Sequence, residues 1–289
     1  ASVCEGGAAI IAHNEDGYSI DREFLYIVHA SINGRKFSAL TYAGELPSPA
    51  LAYTDAGLVI TMNALSPVKV EVGGRARNFV ARHLLAADDL QDALARATAP
   101  GLSVGHSYNI GEYSDPASIK IVNVETAPGG QSSVRALGGT EASNFFHANT
   151  YLQLDLPSAP GSATSSQHRQ ARASELPPPR DVGGALRVLG DTADASYPLF
   201  NNRTDDIINT LATVVFDLSR REARVMRGNP LEGRVDVVLD LARPGPQGVQ
   251  LPRWAAPPVG SFREEKVGSF REEKCKTGPT STLRGRRCV

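Results

Sequence analysis

The sequence predicts an α+β fold, helices layered on antiparallel sheets, and three observations carry that expectation. Between residues 3 and 149, short runs of β-branched and aromatic residues recur, separated by turn signals. Asn33-Gly34, set between two such runs, is the dipeptide of a two-residue hairpin and makes its flanking strands antiparallel. Two helix-period segments then stand side by side within this strand-rich half, the pattern of helices laid on a sheet.

Taken in order, the candidate strands are residues 8–12, 24–32, 37–43, 58–63, 107–112, 119–124 and 133–137, with Cys4 in a short one before them. The turns between them are marked by Gly6-Gly7, Asn33-Gly34, Asp55-Ala56-Gly57, Ser114-Asp115-Pro116 and Gly138-Gly139. Residues 75–87 place Phe79, Val80, Leu84 and Leu85 on one helical face, and 88–99 repeat the pattern through Leu90, Ala93 and Leu94. Asp88 and Asp89 suit the N-terminus of the second helix, and Pro100-Gly101 ends it. Past a Ser/Pro-bearing loop, residues 165–176 form a helix that Pro177-Pro178-Pro179 stops. A short helix at 181–189 closes on Gly190. Asp205-Asp206 reads as the acidic opening turn of an element, 210–218 as a buried strand, and Arg220 to Ala223 as a turn.

After Pro230 the periodicity is lost and Arg, Pro and Gly become frequent. The octapeptide V-G-S-F-R-E-E-K occurs at 259–266 and again at 267–274, too few copies for a solenoid. The expected organisation is one domain over 1–230, followed by a low-complexity, disordered tail over 231–289.

Hydrophobic residues make up 41% of the chain, enough for a sizeable core, and a net charge of −1 steers it toward neither nucleic acid nor an anionic membrane. No apolar run approaches the roughly 20 residues of a membrane span, and no charged and apolar leader pair opens the chain. Three cysteines make no disulfide framework, and six scattered histidines lack the spacing of a metal site. Neither metal nor cofactor is expected, and cytoplasmic placement is the mild expectation.

The most informative segment is His13-Asn14-Glu15-Asp16-Gly17, a strand end where polar side chains cluster. Alone it is ordinary turn chemistry. Its company is Tyr42-Ala43-Gly44-Glu45-Leu46-Pro47, the strand from Gly57 to Asn63, Phe145-Phe146-His147-Ala148-Asn149-Thr150-Tyr151 and Ser165-Ser166-Gln167-His168-Arg169. His13 is a substrate contact or a satisfied structural residue, and His147 an orienting group for the Asn149 loop or a structural residue. Tyr42 with Gly44 lines an acyl pocket, or Y-A-G marks a strand end needing a small residue. Arg169 and Arg172 lie on an exposed helix face or anchor a carboxylate.

Together with T-L-A-T-V-V-F-D-L at 210–218, these motifs resemble the penicillin-acyltransferase-like N-terminal-nucleophile hydrolases over roughly residues 1–230. Within that family, the H-N-E-D and Y-A-G-x-L-P versions are most similar to the insect β-alanyl-dopamine hydrolases. The resemblance implies a four-layer αββα fold and a precursor that cuts itself to expose an N-terminal Cys. Its thiolate attacks an amide carbonyl while its own α-amino group serves as base. By motif, Asp16 matches the active-site Asp, with Asn14 beside it, and Asn149 matches the donor to the oxyanion. The implied partners are a small N-acyl amine as substrate and the processed propeptide.

Residue 1, however, is Ala. The family nucleophile opens a strand of about five residues, so counting back from Gly6 puts the Cys at Ala1 or immediately before it. Cys4 is the alternative nucleophile, read first as a core thiol. Three functions follow: an amidohydrolase acting on a small N-acyl amine, an acyltransferase using a CoA thioester, or a non-catalytic binding descendant.

Overall fold

The computed structural model describes residues 1–47, 51–138 and 144–244. In chain order its elements are β1 (Ser2–Glu5), β2 (Ala8–Tyr18), β3 (Leu25–Ile32), β4 (Arg35–Tyr42), β5 (Leu51–Thr54), β6 (Leu58–Leu65), α1 (Arg77–Leu84) and α2 (Leu90–Thr98). They continue with β7 (Gly105–Glu112), β8 (Lys120–Ala127), β9 (Gln131–Leu137), β10 (Asn144–Phe145), α3 (Thr164–Glu175), α4 (Val182–Leu189), β11 (Ile208–Asp217), β12 (Glu222–Met226) and β13 (Val237–Asp240). One sheet has the order β10-β1-β2-β11-β12-β13, and the other runs from β3 to β9 in sequence order. All of their ladders are antiparallel.

Period-two alternation sorts the strand side chains into layers. On β2, Ala9 and Ile11 turn inward to meet Leu40, Tyr53 and Val59 of the other sheet, while Ile10 packs with Ala185 and Leu189 of α4. On the far sheet, Phe37, Ile60 and Tyr108 turn outward against Val80 and Leu84 of α1 and Ala93 of α2. The result is the expected αββα sandwich. Each fully buried aliphatic side chain contributes about 1.5–3 kcal/mol of transfer free energy.

The helices fall within a few residues of their expected bounds, and their caps explain the ends. Asp89 accepts the amide of Asp92 at 2.8 Å and Asp181 that of Gly184 at 2.6 Å, each satisfying an otherwise orphan N–H. The hairpin between β3 and β4 turns on Asn33 and Gly34, both at positive φ (53° and 81°). His13 to Gly17 closes a strand, but one longer than the expected 8–12: β2 runs on to Tyr18 with β11 laddered beside it. β5 was not expected, its four residues being too few to show a period. The boundary at 230 falls short: Val237 and Leu239 are buried, alternating with exposed Val238 and Asp240, and β13 pairs with β12 as the sheet edge. The rest of the expected tail, including both octapeptides, lies outside the described residues.

Candidate active site

The ladder of β1 and β2 pairs Ser2 with Ile11 and Val3 with Ile10. Ala1 extends it, its nitrogen 2.7 Å from the Ala12 carbonyl and its carbonyl accepting the Ala12 amide at 2.7 Å. β2 then continues past the start of β1. Beyond Ala12 it is laddered only by β11, among the described residues. The edge left open, from His13 to Asp16, lines a cavity of about 270 Å³ together with Ala1, Tyr42, Asn149 and Arg169.

Asp16 accepts the Thr210 hydroxyl at 2.7 Å, and its other oxygen is 3.9 Å from Arg169 Nη1. Its side chain is 30% exposed. Withdrawal from water pushes the Asp16 carboxyl above its ordinary value, against the pull of Arg169 and the Thr210 hydrogen bond. Arg169 also donates to Asn149 Oδ1 at 2.9 Å, which fixes the orientation of that amide. Asn149 Nδ2 donates to the Ala64 carbonyl at 3.1 Å, and its second N–H has no protein acceptor among the described residues. A carboxylate, a guanidinium and an amide with one donor to spare thus share a single chamber.

The loop bearing Asn149 is held from behind. His147 Nε2 is 2.7 Å from Glu125 Oε1 and Nδ1 is 2.7 Å from the Ala148 carbonyl, so each ring nitrogen faces an acceptor. Glu125 is fully buried and also accepts the amides of Leu152, Gln153 and Leu154. Burial raises the Glu125 carboxyl, but His147 and these three N–H groups outweigh it and hold the carboxyl below its usual value. His147 itself lines the cavity, and its carbonyl accepts Asn63 Nδ2 at 3.3 Å.

On the inward side of β2, Glu15 accepts the Tyr42 hydroxyl at 2.6 Å and lies 3.1 Å from His13 Nε2. Gly17 makes room for this: a Cβ there would meet the Tyr42 hydroxyl at 2.7 Å and Leu211 Cδ1 at 2.8 Å. Asn14 lines the cavity, but its amide is committed to structure. It donates to the carbonyls of Leu189 and Leu199 and accepts the Thr213 hydroxyl.

Of the expected site residues, Asp16, Asn149, His13, Asn14, Tyr42 and His147 line one cavity. Two do not. Gly44 forms the left-handed turn after β4 (φ 89°), and its neighbour Glu45 reaches the cavity instead. Cys4 sits three residues along β1 from Ala1, about 10 Å by strand rise. It lines a different hollow with Gly6, Gly7 and Ser219, its sulfur pressed toward Gly138, and partial burial pushes its thiol up, the wrong direction for a nucleophile. Sequence reasoning missed Glu15 and Asn63 as site residues, although both stand inside the motifs it singled out. Of the two readings open for Arg169 and Arg172, the exposed face fails for Arg169, whose side chain is 16% exposed and 3.9 Å from the Asp16 carboxylate, while Arg172 ties α3 to the Asp191 carboxylate.

Residues 3–232 match the family described as acyl-coenzyme A:6-aminopenicillanic acid acyl-transferase. The chain belongs to this acyl-transferase family. A curated relative, the β-alanyl-dopamine/carcinine hydrolase of Drosophila melanogaster, is 27% identical over 243 residues, which cover 77% of this chain and 62% of the relative. The chain thus spans about three fifths of that relative's length. Among solved structures, the N-acylethanolamine-hydrolyzing acid amidase ortholog of Caenorhabditis elegans aligns with a TM-score of 0.50 and 14% identity, covering 75% of this chain and 91% of that one. A single-substitution variant of conjugated bile acid hydrolase from Clostridium perfringens aligns at 0.47 and 12%, covering 84% and 94%. At 14% identity the C. elegans structure speaks for the fold alone, a sandwich of two antiparallel sheets between helices.

Proposed function

We propose that this chain is the body of a cysteine N-terminal-nucleophile amidohydrolase, which cleaves the amide of a small N-acyl amine through an acyl-enzyme. Its thiol is carried two residues ahead of Ala1 and is exposed when a precursor cuts itself. The observation that carries this reading is the open edge of β2 between the end of β1 and Asp16. Asp16 lies four residues past Ala12, about 13 Å of strand, too far for a side chain at position 1 to touch it. Continuing the register, a residue two ahead of Ala1 would lie opposite Asn14, about 7 Å of strand from Asp16. Period-two alternation would put its side chain on the face shared by Ala1, Ala12 and Asp16.

The chemistry then runs on residues already in place. The thiol gives its proton to the free α-amine, whose charge Asp16 balances, and the thiolate adds to the amide carbonyl. The spare N–H of Asn149 donates to the oxyanion, worth about 3 kcal/mol. Collapse breaks the C–N bond, the amine leaves with a proton, and water hydrolyses the thioester. β-Alanyl amines, of the kind for which the Drosophila relative is named, are the first substrates to try.

The test is pre-steady-state hydrolysis by the natural gene product. A burst of amine equal to the enzyme concentration, lost in Asp16→Asn and Asn149→Ala, is the expected result. Turnover indifferent to both substitutions would refute it. Acyl transfer from a CoA thioester to an amine faster than to water would favour the transferase reading that the family description carries.

A further inference from the structure

Arg77 opens α1 and lines the same cavity as Asp16 and Asn149. Among the described residues most arginines hold an acceptor: Arg169 holds Asn149, Arg172 holds Asp191, and Arg75 holds the carbonyls of Ala99 and Pro100. Arg77 holds none. Its Nε is buried without a partner, and among the described residues its guanidinium makes no hydrogen bond or ion pair with the protein. Its terminal nitrogens are not fully buried, and the residue lines the cavity.

Nothing beside Arg77 pairs with it among the described residues. Tyr108 and His106 on β7 are wholly buried, stack at 5.2 Å, and have a hydroxyl and two ring nitrogens without partners. Burial, with Arg77 nearby, pushes His106 down to about 3, so the imidazole is neutral. Burial likewise lowers Arg77, partly offset by Tyr108 and Glu45. Glu45 also lines the cavity, but it accepts from Asn78 Nδ2 at 3.4 Å and lies beyond ion-pair distance of Arg77. A half-buried guanidinium with idle donors is stable only if something else satisfies it. Its planar fork fits a carboxylate through two parallel hydrogen bonds.

We propose that Arg77 is an anion-anchoring residue of the cavity, which therefore takes N-acyl amines that carry a carboxylate in preference to those, such as β-alanyl amines, that carry none. This rests on the reading of the cavity as an amide-cleaving site, yet it is separable from it. The probes are N-benzoylglycine and its uncharged primary amide, titrated by calorimetry into the natural gene product, Arg77→Gln and Arg77→Lys, with the melting temperature of each variant recorded. The acid is expected to bind at least about tenfold more tightly than the amide, a factor equal to about 1.4 kcal/mol. That preference disappears in Arg77→Gln and survives in part in Arg77→Lys. In turnover of charged substrates, Arg77→Gln raises KM and spares kcat. Equal binding of acid and amide by the unmodified protein, or a preference that a folded Arg77→Gln retains, overturns the proposal. Hydrolysis of charged and neutral amides alike would remove the subsite and leave the amidase reading standing. A clear preference for the acid without hydrolysis of any amide would do the reverse.

Discussion

Replacing Glu125 with Gln tests how the Asn149 loop is held. Four donors converge on the two carboxylate oxygens: His147 Nε2 at 2.7 Å and Leu152 N at 2.7 Å on Oε1, with Gln153 N and Leu154 N both at 2.9 Å on Oε2. Gln keeps one oxygen and turns an NH₂ group toward a pair of donors. Two charge-assisted bonds are lost in a site with no water access, the Glu125 side chain being fully buried against His147. At about 1.5–3 kcal/mol per bond the cost is about 3–6 kcal/mol. For a domain of this size that is a fall in Tm of about 6–24 °C.

The assay is thermal unfolding followed by circular dichroism across pH, with hydrogen exchange read at residues 147–154. The folded-state Glu125 carboxyl is held below its unfolded value. Its contribution is therefore fully present above the unfolded pKa, about 4.3, and is lost as pH falls through the lower folded value. The gap between wild type and variant should be full at neutral pH and close in acid. A fall in Tm under about 2 °C, or a gap that widens on acidification, would refute the reasoning.

Three further outcomes follow from the geometry. Gly17→Ala should displace Tyr42 from Glu15 and cost about 1–3 kcal/mol by overpacking, seen in urea unfolding. Cys4→Ala should leave amide turnover unchanged, and the Cys4 thiol should alkylate slowly at neutral pH because burial raises it; rapid labelling with loss of activity would restore Cys4 as the nucleophile. Hydrolysis should rise with pH through an inflection above the ordinary Asp value of about 3.9, since burial raises Asp16, and that limb of the pH profile should vanish in Asp16→Asn.

The sequence carried the fold wherever a local signal was strong. Asn33-Gly34 specified its hairpin, and Asp89 and Asp181 announced the helices they cap. β5 and β13 escaped because four residues offer only two turns of a period-two pattern, and β13 lies in a stretch of turn-forming composition. The polar run from His13 to Gly17 was half legible. Its chemistry was plain, but its strand geometry comes from β11, about 200 residues away in the chain, and pairing at that range leaves no local trace. The same limit hid Arg169, whose helix reads as solvent-facing until Asp16 and Asn149 fold against it. Gly44 was over-read, since a turn glycine and a pocket glycine look alike in one dimension.

In the proposed enzyme the reacting sulfur continues β1 ahead of Ala1 along the open edge of β2. The most direct measurement is to quench the natural gene product during turnover of an N-acyl amine and locate the covalent acyl group by peptide mass spectrometry. The predicted result is one acyl group on a cysteine that precedes Ala1 in the same peptide, absent from Asn149→Ala. An acyl group on Cys4, or turnover with no acylated peptide at all, would contradict it.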